Sequence, residues 1–194
     1  MLSSIGKLLG SRTDLDKSND SLGTAGGPAS EVSEVLINEF FTAIHEQDTE
    51  AVRQLLVDHK ADLTRARFKP EPRTVRFPDE VERDAYTLLG AYLGPLTGLQ
   101  YSILTGRDAI AKDILDSTFE QGEGNCYLML MPGLDGNTAL HLAVLLGASA
   151  MVSALIERGA DVALKNKRGY SAVDMSDNPD ILQLLQSGDD EDTQ

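Results

Sequence analysis

Asp-Gly-Asn-Thr-Ala-Leu-His-Leu-Ala occupies residues 135–143, and Asn-Lys-Arg-Gly-Tyr-Ser-Ala-Val-Asp follows at 166–174 as a weaker copy. Gly136 and Gly169 stand 33 residues apart, and so do Thr138 and Ser171. A fixed period of this length marks a stacked array, in which each unit is too small to bury its own apolar face and must lay it against a neighbour. Between the two copies, Met151, Val152, Leu155 and Ile156 put an apolar stripe on a helix at i, i+1, i+4 and i+5.

The stripe recurs upstream. Ala51, Val52, Leu55 and Leu56 repeat it, as do Ile110, Ala111, Ile114 and Leu115. Each copy follows a shorter segment that ends in a turn, at 43–47, 102–106 and 143–147, which predicts helix–turn–helix three times over. A fourth copy begins at Gly169, where Asp177-Asn178-Pro179 supplies a cap and a helix-starting proline ahead of Ile181, Leu182, Leu184 and Leu185. The first helix is expected from Ser30 or Ser33, with Val32, Val35, Leu36, Phe40, Ala43 and Ile44 at helical spacing. Equivalent positions Ala43, Ser102 and Ala143 are separated by 59 and 41 residues, which exceeds the period by 26 and 8. The larger excess, residues 67–93, divides into an extended Pro-punctuated half, 68–78, and a helix expected from Asp79. Asp79 and Glu82 have capping-box spacing, while Val81, Ala85, Leu88 and Tyr92 form the apolar side.

These motifs resemble the ankyrin repeat family, strongly over 135–174 and by helix pattern before that. Thr138-Ala139-Leu140-His141 stands where the family has Thr-Pro-Leu-His, so the proline is missing, while Thr138 can still cap and Leu140 can still enter the core. Gly136 and Gly169 suit tight turns, and Gly159 suits a left-handed helix cap. Ala43, Ser102 and Ala143 are small enough for close approach of neighbouring inner helices. Two departures stand out: His59 sits where a left-handed Gly is expected, and Thr97-Gly98-Leu99-Gln100-Tyr101-Ser102 is a weak match. The resemblance implies an all-α ankyrin-repeat solenoid of three to four irregular repeats over 31–186, with the long insertion between the first and second repeats. It also implies a non-enzymatic adaptor or scaffold that holds another protein. A disordered, Gly/Ser-rich leader is expected at 1–30 and an acidic, solvated tail at 187–194.

Composition narrows the classes of partner. The net charge of −14, from 17 basic and 31 acidic residues, opposes general binding of polyanions, because neutralising phosphates needs a cationic surplus, so no nucleic acid partner is expected. It allows a second reading, an acidic escort or chaperone for a basic client protein. Cys126 is the single cysteine, which excludes an intrachain disulfide and suits a reducing compartment, cytoplasmic or nuclear. No apolar run reaches the roughly 18 residues of a membrane span, so stable membrane insertion is not expected. The start of the chain is read as a frayed tail in preference to a weak membrane contact.

No catalytic, cofactor or metal constellation is expected. His45, His59 and His141 each fall at structural places in the repeats, Gly122-Glu123-Gly124 is too short for a dinucleotide loop, and Cys126 has no nearby histidine in sequence. Five residues are singled out for partner binding: Arg73, Val75, Arg76, Phe77 and Tyr101. Arg73-Thr74-Val75-Arg76-Phe77 is similar to the basic-x-Val-x-Phe docking sequence of regulatory subunits of protein phosphatase type one. In that mode an extended segment adds to a sheet edge and seats Val75 and Phe77 in two pockets. The alternative is that Val75 and Phe77 anchor the long loop to the array. Arg65, Arg67, Lys69, Arg73 and Arg76 form a basic island that either meets an acidic partner or pairs with Asp79, Glu80 and Glu82. Cys126 to Met131 is an apolar run expected to pack as core or loop.

Overall fold

Four helical units stack side by side in a computed structural model that describes residues 34–70, 79–89, 95–119 and 136–189. The first unit pairs α1 (Glu34–Glu46) with α2 (Thr49–Leu63). The insertion contributes α3 (Asp79–Leu88). The second unit pairs α4 (Gly98–Leu104) with α5 (Asp108–Phe119), and the third pairs α6 (Ala139–Leu145) with α7 (Ser149–Ile156). A single 3-10 turn (Val173–Met175) and α8 (Pro179–Asp189) form the fourth. The inner helices α1, α4 and α6 lie in one layer and the outer helices α2, α5 and α7 in the other, with α8 closing against α7.

The caps explain where the helices begin. Thr97 and Thr138 each accept a hydrogen bond from the backbone N–H three residues on, while the side chains of Gln100 and His141 reach back to the cap backbone. The fourth unit repeats the device with Asp174, whose carboxylate accepts from the Ser171 N–H at 2.8 Å and its hydroxyl at 2.7 Å. The second unit, faint in sequence, is thus built like the third. Asp48 caps α2 through the Ala51 N–H at 2.9 Å, and Asn178 caps α8 through the Asp180 N–H at 2.9 Å. Each device satisfies donors that the first helical turn leaves unpaired.

Burial follows position in the stack. Ile110, Ala111, Ile114 and Leu115 of α5 are all buried because α5 has α2 on one side and α7 on the other. On α2, which has a neighbour on one side, Val52 and Leu56 are buried while Ala51 and Leu55 are only partly so. The first helix departs from expectation: Val35 is 63% exposed, and the buried face consists of Phe40, Phe41, Ala43 and Ile44, with Leu36 and Ile37 packed against it. The helix rolls toward Phe41 because that ring joins an aromatic cluster, stacked on Phe68 at 4.9 Å and edge-on to Tyr101 at 5.7 Å.

His59 is a second correction. Its φ of −134° is not left-handed; the residue marks a kink, after which α2 continues for another turn. That turn delivers Leu63, which is fully buried, so core packing replaces the glycine-terminated ending expected there. In the third unit, by contrast, Gly159 does take a positive φ of 80° just past the end of α7.

Candidate partner-binding surface

The insertion starts and ends at one place. Phe68 and Leu96 form an antiparallel bridge, N–H to carbonyl at 2.9 Å in one direction and 2.7 Å in the other. Phe68 and Tyr101 meet edge-on at 5.7 Å, which fixes these two feet to the junction of the first and second units. Within the insertion, α3 packs on α6 of the third unit. Ala85 and Leu89 are buried, and Val81 and Leu88 are packed against the core, so the apolar side read from the sequence is the side that docks. The expected contribution of Tyr92 lies outside the described residues.

The carboxyl end of α3 is held by side chains of the third and fourth units. Asn137 donates to the Leu89 carbonyl at 3.0 Å, Asn166 to the Leu88 carbonyl at 2.9 Å, and Arg168 to the Thr87 carbonyl at 2.7 Å. Asn166 also donates to the Asn137 side-chain oxygen at 2.8 Å, and its own oxygen accepts from the N–H groups of Arg168 and Tyr170. Helix ends leave carbonyls without intrahelical partners, and here two buried asparagines and an arginine replace the water that would otherwise satisfy them. Gly136 makes room for this junction: its φ is 78°, and a Cβ there would come within 2.9 Å of the Lys167 backbone nitrogen. The sequence reading missed Asn137, Asn166 and Arg168 as a group. The available signal was weak, an Asn at the head of the Asn166-Lys-Arg-Gly turn, where its side chain commonly bonds its own backbone.

A parallel pair of bonds joins neighbouring units. Gln100 Nε2 donates to the Asn137 carbonyl at 2.9 Å, and His141 Nε2 lies 3.2 Å from the Tyr170 carbonyl. His141 Nδ1 accepts from the Thr138 N–H at 3.1 Å, which leaves the proton on Nε2 to be donated to Tyr170. Burial pushes the His141 pKa below the usual histidine value, against the opposing pull of the Tyr170 and Leu164 carbonyls. On the outer side, Arg53 forks onto Asp113 with two 3.0 Å bonds, and Arg158 pairs with Asp116.

Tyr101 takes a different place from the one expected. It is 4% exposed, with its ring among Phe41 and Phe68 and its hydroxyl 3.0 Å from His45 Nδ1. It supports the insertion's feet and offers no ring face to a partner. Burial also pushes its phenol pKa upward, with Arg107 pulling the other way. Arg73, Val75, Arg76 and Phe77 lie outside the described residues, as do the run from Cys126 to Met131 and the Gly122-Glu123-Gly124 segment.

Between α3 and the last two units a groove of about 480 Å³ remains open. Val81 and Leu88 from α3 face Val144 and Leu145 from α6, with Met175 and Ile181 from the fourth unit completing an apolar floor. Asp84, Asp174 and Asp177 stand among the lining residues, and among the described residues the lining includes no Lys or Arg. Hydrogen bonds from Ser171 hold the Asp174 pKa below the usual carboxylate value, with Lys165 adding a smaller pull in the same direction. Among the described residues no three His, Cys, Asp or Glu side chains gather to hold a metal ion, and no helix is long and apolar enough to cross a membrane.

Comparison with known proteins places a family match on the stretch that carries the repeat. The ankyrin repeat model matches residues 135–167. A human protein, ankyrin repeat domain-containing protein 29, is 43% identical over 53 residues. That similarity covers 27% of this chain and 18% of the human protein, so the chain spans only a small part of the relative's length.

Proposed function

From the premise that this chain is an all-α ankyrin-repeat solenoid, we propose that it is an adaptor that holds a partner protein on the surface shared by the insertion and the last two units. Ankyrin repeats are generally protein–protein interaction modules. The observation that carries the finer reading is the docking of α3 on α6, secured by Asn137, Asn166 and Arg168. A regular array needs no such strap, and insertions in solenoids commonly fall on the binding face. The strap covers part of α6 and leaves beside it a groove with an apolar floor, the form in which short segments of other proteins are usually taken. No catalytic role is assigned.

The test is quantitative capture from cell extract with the full chain and with a version in which residues 69–95 are replaced by a short Gly/Ser linker. The bridged feet at Phe68 and Leu96 favour an intact array after the exchange. The full chain is expected to retain one or more proteins that the shortened chain loses while its helical circular dichroism persists. Capture of the same proteins by both would overturn the reading.

A further inference from the structure

We propose that the groove between α3 and the fourth unit takes a short basic segment of a partner, one or two apolar side chains on the floor with Lys or Arg beside them. This rests on the adaptor reading and specifies its partner chemistry. Two independent features choose the occupant. The first is the apolar side, since Val81 and Leu88 of α3 are only partly buried and border the open space above the buried Val144, Leu145, Met175 and Ile181, where an apolar group improves on water. The second is the charge: Asp84 reaches the groove from α3 while Asp174 and Asp177 reach it from the fourth unit, so acidic groups approach from two elements. Lys165 acts on Asp174 but is not among the groove's lining residues.

An acidic partner would meet three carboxylates without a cationic counterpart among the described lining residues, whereas a basic one gains on-rate and register from them. The net charge of −14 extends the same preference over the whole surface. At about 480 Å³ the groove suits a few side chains of a linear segment better than a folded domain. The groove also depends on the strap, because Val81, Asp84, Thr87 and Leu88 form one of its walls.

The experiment uses the full chain and fluorescein-labelled twelve-residue peptides: one of Leu and Lys, a Leu–Glu counterpart, and a Gly–Lys peptide of equal charge. Fluorescence anisotropy is read at physiological salt. The Leu–Lys peptide is expected to bind, and the other two to bind at least about tenfold more weakly. Asp84→Lys with Asp177→Lys should weaken the Leu–Lys peptide by about tenfold or more, while Glu46→Lys with Glu157→Lys, away from the groove, should change it less than about twofold. Thr87→Trp fills the groove from its exposed rim and should have the same weakening effect. Because the chain has no other tryptophan, emission from the new ring and the melting curve together report that the variant is folded.

No binding of the Leu–Lys peptide, equal binding of the Leu–Glu peptide, equal losses in the two charge variants, or no loss in Thr87→Trp would each overturn the proposal. A full chain that still captures partners while failing these tests leaves the adaptor reading standing. A chain that captures none removes that reading itself.

Discussion

His141 does its work as a neutral ring. Nδ1 accepts from the Thr138 N–H while Nε2 donates to the Tyr170 carbonyl, and a proton added to Nδ1 would destroy the first of these bonds. Its folded-state pKa is lowered by burial, so the unfolded chain binds the proton first as pH falls. The stability that this ring contributes is therefore complete above the unfolded value near 6.5 and is lost as pH drops below it, at up to about 1.4 kcal/mol per pH unit for one proton. Gln100 holds the corresponding place in the second unit without a titratable group. Urea denaturation between pH 7.5 and 5.5 should give a steeper loss for the natural chain than for His141→Gln; parallel losses would remove His141 as the cause. Gln47 offers a second expectation. It is exposed with φ at 62°, where the matching turns of the next two units have Gly106 and Gly147 at 67° and 69°. A side chain in that conformation costs about 1–2 kcal/mol, so Gln47→Gly should raise the urea-derived stability by about 1 kcal/mol.

Among the elements, α3 depends most on groups distant in sequence. Its own residues specify an amphipathic helix, and the buried side was readable from Val81, Ala85 and Leu88. Its resting place was not, because Asn137 and Asn166 carry no periodic signal and bond carbonyls that every helix end possesses. Asn166→Leu should cost about 1–3 kcal/mol by leaving the Leu88 carbonyl and the Asn137 amide oxygen without their donor. Limited proteolysis should cut first within 69–95 in that variant; cleavage elsewhere first would mean that Asn166 is not what secures the strap. The junction of α1 and α4 is tighter still. A Cβ at Gly98 would sit 2.5 Å from Phe40 Cε1, and Phe40 is buried. Gly98→Ala should therefore lower stability by about 1–3 kcal/mol, measured by thermal or urea melting, since the ring has to leave its packed position. The misread positions on α1 and at His59 have the same origin. Leu63 and the aromatic cluster draw their helices toward partners that local spacing does not reveal.

For the molecule as a whole, the insertion adds a strap to an array that is already continuous through α1, α4 and α6. Replacing residues 69–95 by a short linker loses the burial of Ala85 and Leu89 but closes a smaller loop. The net cost is expected to be about 1–3 kcal/mol, with urea unfolding still a single transition. Separate transitions for the two ends would mean that the strap, and not the stack, makes the units cooperative. Helix pairs, their order and their period were legible because caps, small residues and 3.6-residue stripes act within a few residues of each other. Gln100 shows the limit of that legibility, since it does the work of His141 without matching the family's tetrapeptide. The position of the strap and the groove beside it followed from folding alone: the bonds that set them join residues 48 and 78 apart, between side chains and helix-end carbonyls that no local pattern can pair.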